Sequence, residues 1–407
     1  MLEYYPNVYW PNLLFCNASA CGAPVGDLDD ANRAALDYVK AGGDTDSPKF
    51  RELSLEGILK VADKLERLAD EDLAHGRSIS AGDKSFRAAA MLAYGELLMT
   101  DFYDPKKVEV FDRSRAALKR ALSHAGYPHS RSEFVEIPFE GKTLDGLFTP
   151  SYYKSDAPVV IHLNGTHSNI EWQYLIGIND QLARRGIASL AFDHPGSGSA
   201  RYHKGFKYRS NSESYVGAAI DFLEGRKDVD ASRVGVCGSS FGGYFAPRAA
   251  AFDKRIKACV VWGATYVFPI ARYFPDGRPE GALPTAYDEE RARQLRWGFG
   301  AKDNPTLYDM LQEYTLKGVI DKVEAPLFIV HGKNDPQAPL AGAERQLLEA
   351  ENSPRAELMV IGPDVGGDMH CNVDNPSTAM NAIGDWLSEV FDIRRASMGS
   401  LAREIRK

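Results

Sequence analysis

Apolar residues recur at three- and four-residue intervals from Leu53 to about His124, and this spacing predicts helices. "LEGILKVADKLERLADEDLAHG" holds the period and ends at Gly76. "SAGDKSFRAAAMLAYGELLM" follows, with Ser80 as the expected N-cap. "DPKKVEVFDRSRAALKRALSHAG" reads as a third helix. Residues 1–50 are aromatic and turn-rich, and no element is assigned to them. Near Phe134 the rhythm changes. "EFVEIPFEGKTLDGLFTP" alternates apolar and polar residues around Glu-Gly, the pattern of a hairpin. Short apolar runs then alternate with helical segments: "PVVIHLNG", "GIASLAFD", "RVGVCGS", "IKACVVWG", "PLFIVHG" and "AELMVIG". Such runs predict a mostly parallel sheet covered on both faces. The chain therefore divides into a mainly helical N-terminal domain, 1–130, and an α/β domain, 131–407. Between about 264 and 305 the alternation breaks into a long aromatic stretch punctuated by Pro and Gly. An insertion of that length in an α/β domain is usually functional, and a lid is expected.

Composition narrows the class. Of 407 residues, 44% are hydrophobic and 26% charged, as in a globular protein with a substantial core. The net charge of −8 opposes a nucleic-acid surface. The longest apolar runs are far shorter than a membrane span. "MLEYYPNVYW" has neither a basic region nor an apolar signal core, so a cytoplasmic location is expected. The five cysteines, 16, 21, 237, 259 and 371, lack paired short spacings, which suits free thiols and not a zinc cage. A homodimer is compatible with the chain.

The chemistry concentrates in "GVCGSSFGGYFAP", residues 235–247. A nucleophile elbow has the form G-x-S-x-G, because small residues two places either side of the serine let a tight strand-to-helix turn pack. Ser240 has Gly238 and Gly242 at those places, whereas Ser239 has Cys237 and Phe241. A plain Gly/Ser-rich turn would read similarly, so partners are required. The motif needs an acid and then a histidine further along. Asp335 lies in the loop after "PLFIVHG", and His370 in the Gly-rich loop after "AELMVIG". Both follow strand ends, where chemistry gathers in open α/β sheets. His331, Asp364 and Asp368 are the competing neighbours, and His331 reads as structural. The oxyanion donors expected are the N–H groups of Phe241 and of Thr166 in "NGTHSN", with Gly165 permitting the turn. Gly165, His167, Tyr266 and Tyr273 are candidate substrate contacts, with Phe268 and Phe274 as further aromatic bodies in the insertion. "FDHPGSGSA" imitates a dinucleotide fingerprint but lacks its third glycine, and reads as a loop beside the site. No metal or nucleotide cofactor is expected.

These motifs resemble the α/β-hydrolase superfamily. With "AHGRSISAGDKSFRAA", "LAFDHPGSGSA", "FIVHGKNDPQAPL" and "GGDMHCN", they resemble a branch of it from about residue 60 onward. That branch holds the dihydroxypseudooxynicotine hydrolases, the fungal pigment-pathway hydrolases that shorten polyketides, and esterase-like proteins of the fermentation–respiration switch type. The resemblance implies the triad Ser240, Asp335 and His370, and hydrolysis of a carbon–carbon bond beside a ketone in an aromatic or polyketide-like small molecule. A carboxylesterase or lactonase is the rival, and a non-catalytic binding protein on the same fold is the alternative of a different class. The nicotine-pathway members carry an acid early in the lid. Here "GATYVFPIARYF" holds none, and Asp276 and Glu280 come later.

Overall fold

The apolar runs become an eight-stranded sheet in the computed structural model, which describes residues 1–124, 131–274, 277, 283 and 286–393. The strands are β1 (Glu133–Phe139), β2 (Lys142–Thr149), β3 (Ala157–Leu163), β4 (Ala188–Phe192), β5 (Val229–Ser239), β6 (Ile256–Trp262), β7 (Leu327–Gly332) and β8 (Ala356–Ile361). Their order is β1-β2-β4-β3-β5-β6-β7-β8. β1 and β2 form the expected antiparallel hairpin, β2 also runs antiparallel to β4, and every later pairing is parallel. Glu140 and Gly141 make the hairpin turn, both at positive φ, a handedness that suits strand twist. β3, β4 and β7 are buried at every position, as strands covered on both faces must be.

Five helices precede the sheet: α1 (Trp10–Ala20), α2 (Val25–Lys40), α3 (Pro48–Ala74), α4 (Ser78–Leu98) and α5 (Pro105–Ser123). α1 and α2 arise in the stretch to which the sequence reading assigned no element. α1 buries residues on most of its circumference, so its sequence shows no clear apolar stripe. The expected N-cap at Ser80 is corrected. Gly76, at φ 73°, closes α3, and the Arg77 N–H returns to the Asp72 carbonyl at 2.8 Å. Only His75, Gly76 and Arg77 separate the helices, so α4 starts at Ser78 and Ser80 sits in its first turn.

The remaining helices are α6 (Ile170–Leu175), α7 (Ile178–Ala183), α8 (Gly198–Tyr202), α9 (Ser212–Glu224), α10 (Gly242–Phe252), α11 (Ala286–Phe299), α12 (Asn304–Leu311), α13 (Leu340–Glu349) and α14 (Ser377–Val390). α9 and α10 cover one sheet face through Tyr215, Ile220 and Phe245. α7 and α14 cover the other through Leu182, Ile383 and Leu387. α6 belongs to a third core, where Trp172 and Leu175 pack with Ile58, Met91 and Leu118 of the N-terminal helices. The helical layer is thus joined to the sheet layer by shared apolar burial that takes in Leu147 of β2 and Ala191 of β4.

A buried charge cluster reinforces that junction. Arg115 of α5 forks onto Glu171 of α6, and reaches Asp193 at 2.6 Å and Asp145 at 2.9 Å. Glu171 and Asp193 have fully buried side chains. Between β6 and β7 the inserted segment holds a short turn at Ile270–Arg272, then α11 and α12. Asp276 and Glu280 lie outside the described residues. Among the described residues no helix is long and apolar enough to cross a membrane.

Candidate active site

β5 delivers the chain to Ser240, which turns at φ 59° before α10 begins at Gly242. That conformation is strained for a side-chain-bearing residue, and it lifts the hydroxyl off the strand end. Glycine is required on both sides of it. A Cβ on Gly238 would collide with the Gly242 carbonyl, and one on Gly242 with the Leu163 carbonyl. The Ser240 N–H donates to the Trp262 carbonyl at 2.9 Å, and the Ser240 carbonyl accepts from Gly243 N–H at 2.8 Å and Thr265 Oγ1 at 3.0 Å. Thr265 is a support that the sequence reading did not single out.

Two loops complete the arrangement. His370 Nε2 stands 2.8 Å from Ser240 Oγ, and His370 Nδ1 2.7 Å from Asp335 Oδ2. The other Asp335 oxygen accepts from the N–H groups of Gln337 at 2.7 Å and Ala338 at 3.0 Å. Burial would raise Asp335, but His370 and those two N–H groups hold its carboxyl below the usual range. Burial would likewise lower His370, yet the adjacent Cys371 and Asp335 raise it above the ordinary imidazole value. The loop carrying His370 is held from behind by a 2.9 Å bond from Trp262 Nε1 to Asn372 Oδ1.

The competing residues have other work. His331 is fully buried, accepts from Ala264 N–H at 3.1 Å and donates to the Ala338 carbonyl at 2.9 Å, so it braces the turn that presents Asp335. Asp368 takes the side-chain amide and the N–H of Asn334. Asp364 is exposed. Ser239 ends β5 and lines the same cavity as Ser240, without the bond to His370.

The loop after β3 abuts the serine. A Cβ on Gly165 would lie 2.8 Å from Ser240 Cβ and 3.2 Å from Ser240 Oγ. The Thr166 carbonyl is tied by the Tyr208 hydroxyl and by Arg201 Nη1, and the Ile170 N–H donates to Asp193 Oδ1 at 3.0 Å. The His194 ring bridges the carbonyls of Pro195 and Asn164. "FDHPGSGSA" is therefore a bracket for this loop. His167 stacks on Phe102 with centroids 5.4 Å apart, and its Nδ1 is buried without a partner. Burial, then the nearby Arg201 and Lys107, push His167 down to about 3, so its ring is neutral. Burial alone takes His162, the penultimate residue of β3, down to about 4.

Ser240 and His370 open into a cavity of about 330 Å³, within the usual range for a small-molecule site. Its walls include Gly165, Thr166 and His167, Tyr273 from the insertion, and Trp10, Leu13 and Asn17 of α1. Tyr266 is placed elsewhere: its hydroxyl bonds Glu349 of α13, with Arg345 over its ring. Phe268 packs on Phe241 at 5.0 Å, and Phe274 lies in the core against Tyr308. The wall residues Lys107 and Trp10 were not anticipated. Lys107 is a buried cation spent on Glu96 at 2.7 Å and on two carbonyls, yet on paper it is one of two lysines opening an amphipathic helix. Among the described residues, no cluster of histidine, cysteine or acidic side chains is arranged to hold a metal ion.

Several known proteins are similar to this chain at a distance. The chain is 26% identical over 346 residues to the 2,6-dihydropseudooxynicotine hydrolase of Paenarthrobacter nicotinovorans, covering 82% of this chain and 83% of that one. It is 26% identical over 373 residues to the 20-hydroxy-prefusarin hydrolase of Gibberella moniliformis, covering 82% and 87%. The crystal structure of the 2,6-dihydroxy-pseudo-oxynicotine hydrolase superposes with a TM-score of 0.72 over 92% of this chain and 95% of the other, at 21% identity, and so shares the fold. The model of the alpha/beta hydrolase family matches residues 159–383, from β3 into α14, and the chain belongs to that family.

Proposed function

We propose that this enzyme is a serine hydrolase that cleaves a carbon–carbon bond beside a ketone in an aromatic or polyketide-like substrate. The observation that carries the reading is the pair of hydrogen bonds through His370, 2.8 Å to Ser240 and 2.7 Å to Asp335, at the edge of a largely apolar cavity. Ser240 Oγ attacks the carbonyl carbon while His370 Nε2 takes its proton, and Asp335 steadies the imidazolium. The N–H groups of Phe241 and Thr166 receive the oxyanion. When the tetrahedral adduct collapses, the carbon–carbon bond breaks. Its electron pair leaves as an enolate, which takes the proton back from His370. Water, deprotonated by His370, then attacks the acyl-serine and releases the acid. The names of the relatives, a pseudooxynicotine hydrolase and a prefusarin hydrolase, support the substrate class.

A carboxylesterase or lactonase is the second reading. Residues 263–274 contain no acid where the resemblance places one, and the same serine attack serves an ester. Product analysis separates the two. A β-diketone should be split into a carboxylic acid and a methyl ketone at a rate above the buffer background. Turnover of aryl esters and lactones with no cleavage of any β-diketone would overturn the carbon–carbon reading. Absence of Ser240 labelling by a fluorophosphonate would overturn both, and leave a binding protein.

A further inference from the structure

Five polar side chains line the cavity with no protein partner for one atom each: His162 Nε2 near the end of β3, His167 Nδ1 in the loop after it, Trp172 Nε1 and Gln173 Oε1 on α6, and Gln337 Nε2. His162, Trp172 and Gln173 are the most buried of them, at 3%, 5% and 8% exposed. A buried polar atom left unpaired costs free energy comparable to a lost hydrogen bond, so three such atoms lining one cavity point to a ligand that supplies the missing bonds. Trp172 Nε1 can only donate and Gln173 Oε1 can only accept, while His162 Nε2 does either according to tautomer.

The surroundings limit the charge of that ligand. His162 pairs in register with Cys237 on β5, and Cys237, Ile176 and Ile178 are the apolar lining beside it. The cationic lining residues Arg51, Lys107, Arg272 and Arg291 come from α3, α5 and the insertion, and Lys107 is already paired with Glu96. A carboxylate placed against the α6 wall would meet one N–H, one acceptor oxygen and a neutral ring, which is poor recompense for its desolvation.

We infer that the β3–α6 end of the cavity, formed by His162, Trp172 and Gln173, binds an uncharged hydroxyl-bearing part of the substrate, a phenol or an enol. Such a group both accepts from Trp172 and donates to Gln173 or His162, which a bare hydrocarbon ring or an ionised acid does not. The inference rests on the hydrolase reading for the word substrate, but the binding itself does not need turnover.

The test uses titration calorimetry on the full chain and on Ser240→Ala, with a dihydroxyacetophenone, acetophenone and benzoate as probes. The dihydroxy ketone should bind about tenfold tighter than acetophenone, the worth of one or two neutral hydrogen bonds. Trp172→Phe and, separately, Gln173→Met should shrink that preference to about twofold and leave acetophenone affinity unchanged. Equal affinity of the two ketones for the unaltered chain overturns the inference. So does a preference that survives both substitutions, or tightest binding of benzoate. Fluorophosphonate labelling of Ser240 is scored in parallel. A chain that labels but shows no hydroxyl preference loses the subsite and keeps the hydrolase reading, and one that prefers the hydroxyl without labelling does the reverse.

Discussion

His370 Nε2 lies 2.8 Å from Ser240 Oγ although 130 positions of chain separate the two residues. Ser239, next to Ser240, has no such contact with His370. Ser239 is the last residue of β5, whereas Ser240 lies beyond the strand in the strained turn that directs its hydroxyl toward the histidine loop.

Exchange of the two serines follows from that. Ser240→Ala should abolish turnover, by as much as about 10⁶-fold in kcat if the loss matches that of a triad nucleophile. Ser239→Ala should stay within about tenfold of the unaltered enzyme, because it loses a cavity-wall hydroxyl and no bond to His370. Steady-state rates on any accepted ester decide the matter. An active Ser240→Ala protein would remove the basis of the mechanism.

The pH profile should carry the mark of Asp335. In the proposed mechanism His370 works deprotonated, and its proton affinity is raised, so kcat/KM should fall as pH drops through a value above the ordinary imidazole figure of about 6.5. Asp335→Asn removes one of the groups that raise it and leaves burial, which lowers it. The acid limb should therefore move to lower pH while the plateau drops severely, by up to about 10⁴-fold. An unmoved limb would show that another carboxylate orients His370.

Two tyrosines of the insertion should behave differently. Tyr273 lines the cavity, so Tyr273→Ala should raise KM for a bulky aromatic ketone more than for a short aryl ester. Tyr266 is anchored on Glu349 of α13, so Tyr266→Ala should lower the melting temperature with little change in the ratio of the two KM values. Equal selectivity losses in both variants would mean that the insertion shapes the cavity through its fold and not through Tyr273.

Acid should weaken the fold through the β3 end. His162 is lowered to about 4 by burial, while an unfolded chain takes up the proton near 6.5. A depressed histidine leaves stability intact above about 6.5 and removes it progressively as pH falls toward the folded value. At pH 4.5 the loss from His162 is about 2–3 kcal/mol, at 1.36 kcal/mol per unit. His167, lowered further still, acts in the same direction. Denaturant midpoints at pH 7.5 and 4.5 should differ less in His162→Gln than in the unaltered chain. An identical pH dependence in the two would show that His162 takes up its proton as readily in the folded chain as in the unfolded one.

The sheet, the elbow and the order Ser240, Asp335, His370 were all legible in the linear sequence, for physical reasons that act locally. A buried strand needs a short apolar run, a strained turn needs glycine two places either side, and each loop after a strand end is a short stretch of chain. The residues around the substrate were not legible in that way. Trp10, Leu13 and Asn17 come from a helix whose burial on most sides erases the apolar stripe by which helices are recognised. Tyr266 and Tyr273 look alike in sequence, and only packing against α13 sends one away from the cavity and leaves the other in it. Lys107 and Arg115 read as solvated charges on α5 until Glu96, Glu171 and Asp193, contributed by α4, α6 and the loop after β4, surround them. His162 has the same character: as one polar residue in an apolar strand it signals nothing, and only the packed structure brings its neutral, unpartnered ring into the same cavity lining as Trp172 of α6. Local chain geometry decides which hydroxyl faces His370, whereas the shape and polarity of the cavity are sums over elements far apart in sequence, and those sums are made only when the layers pack.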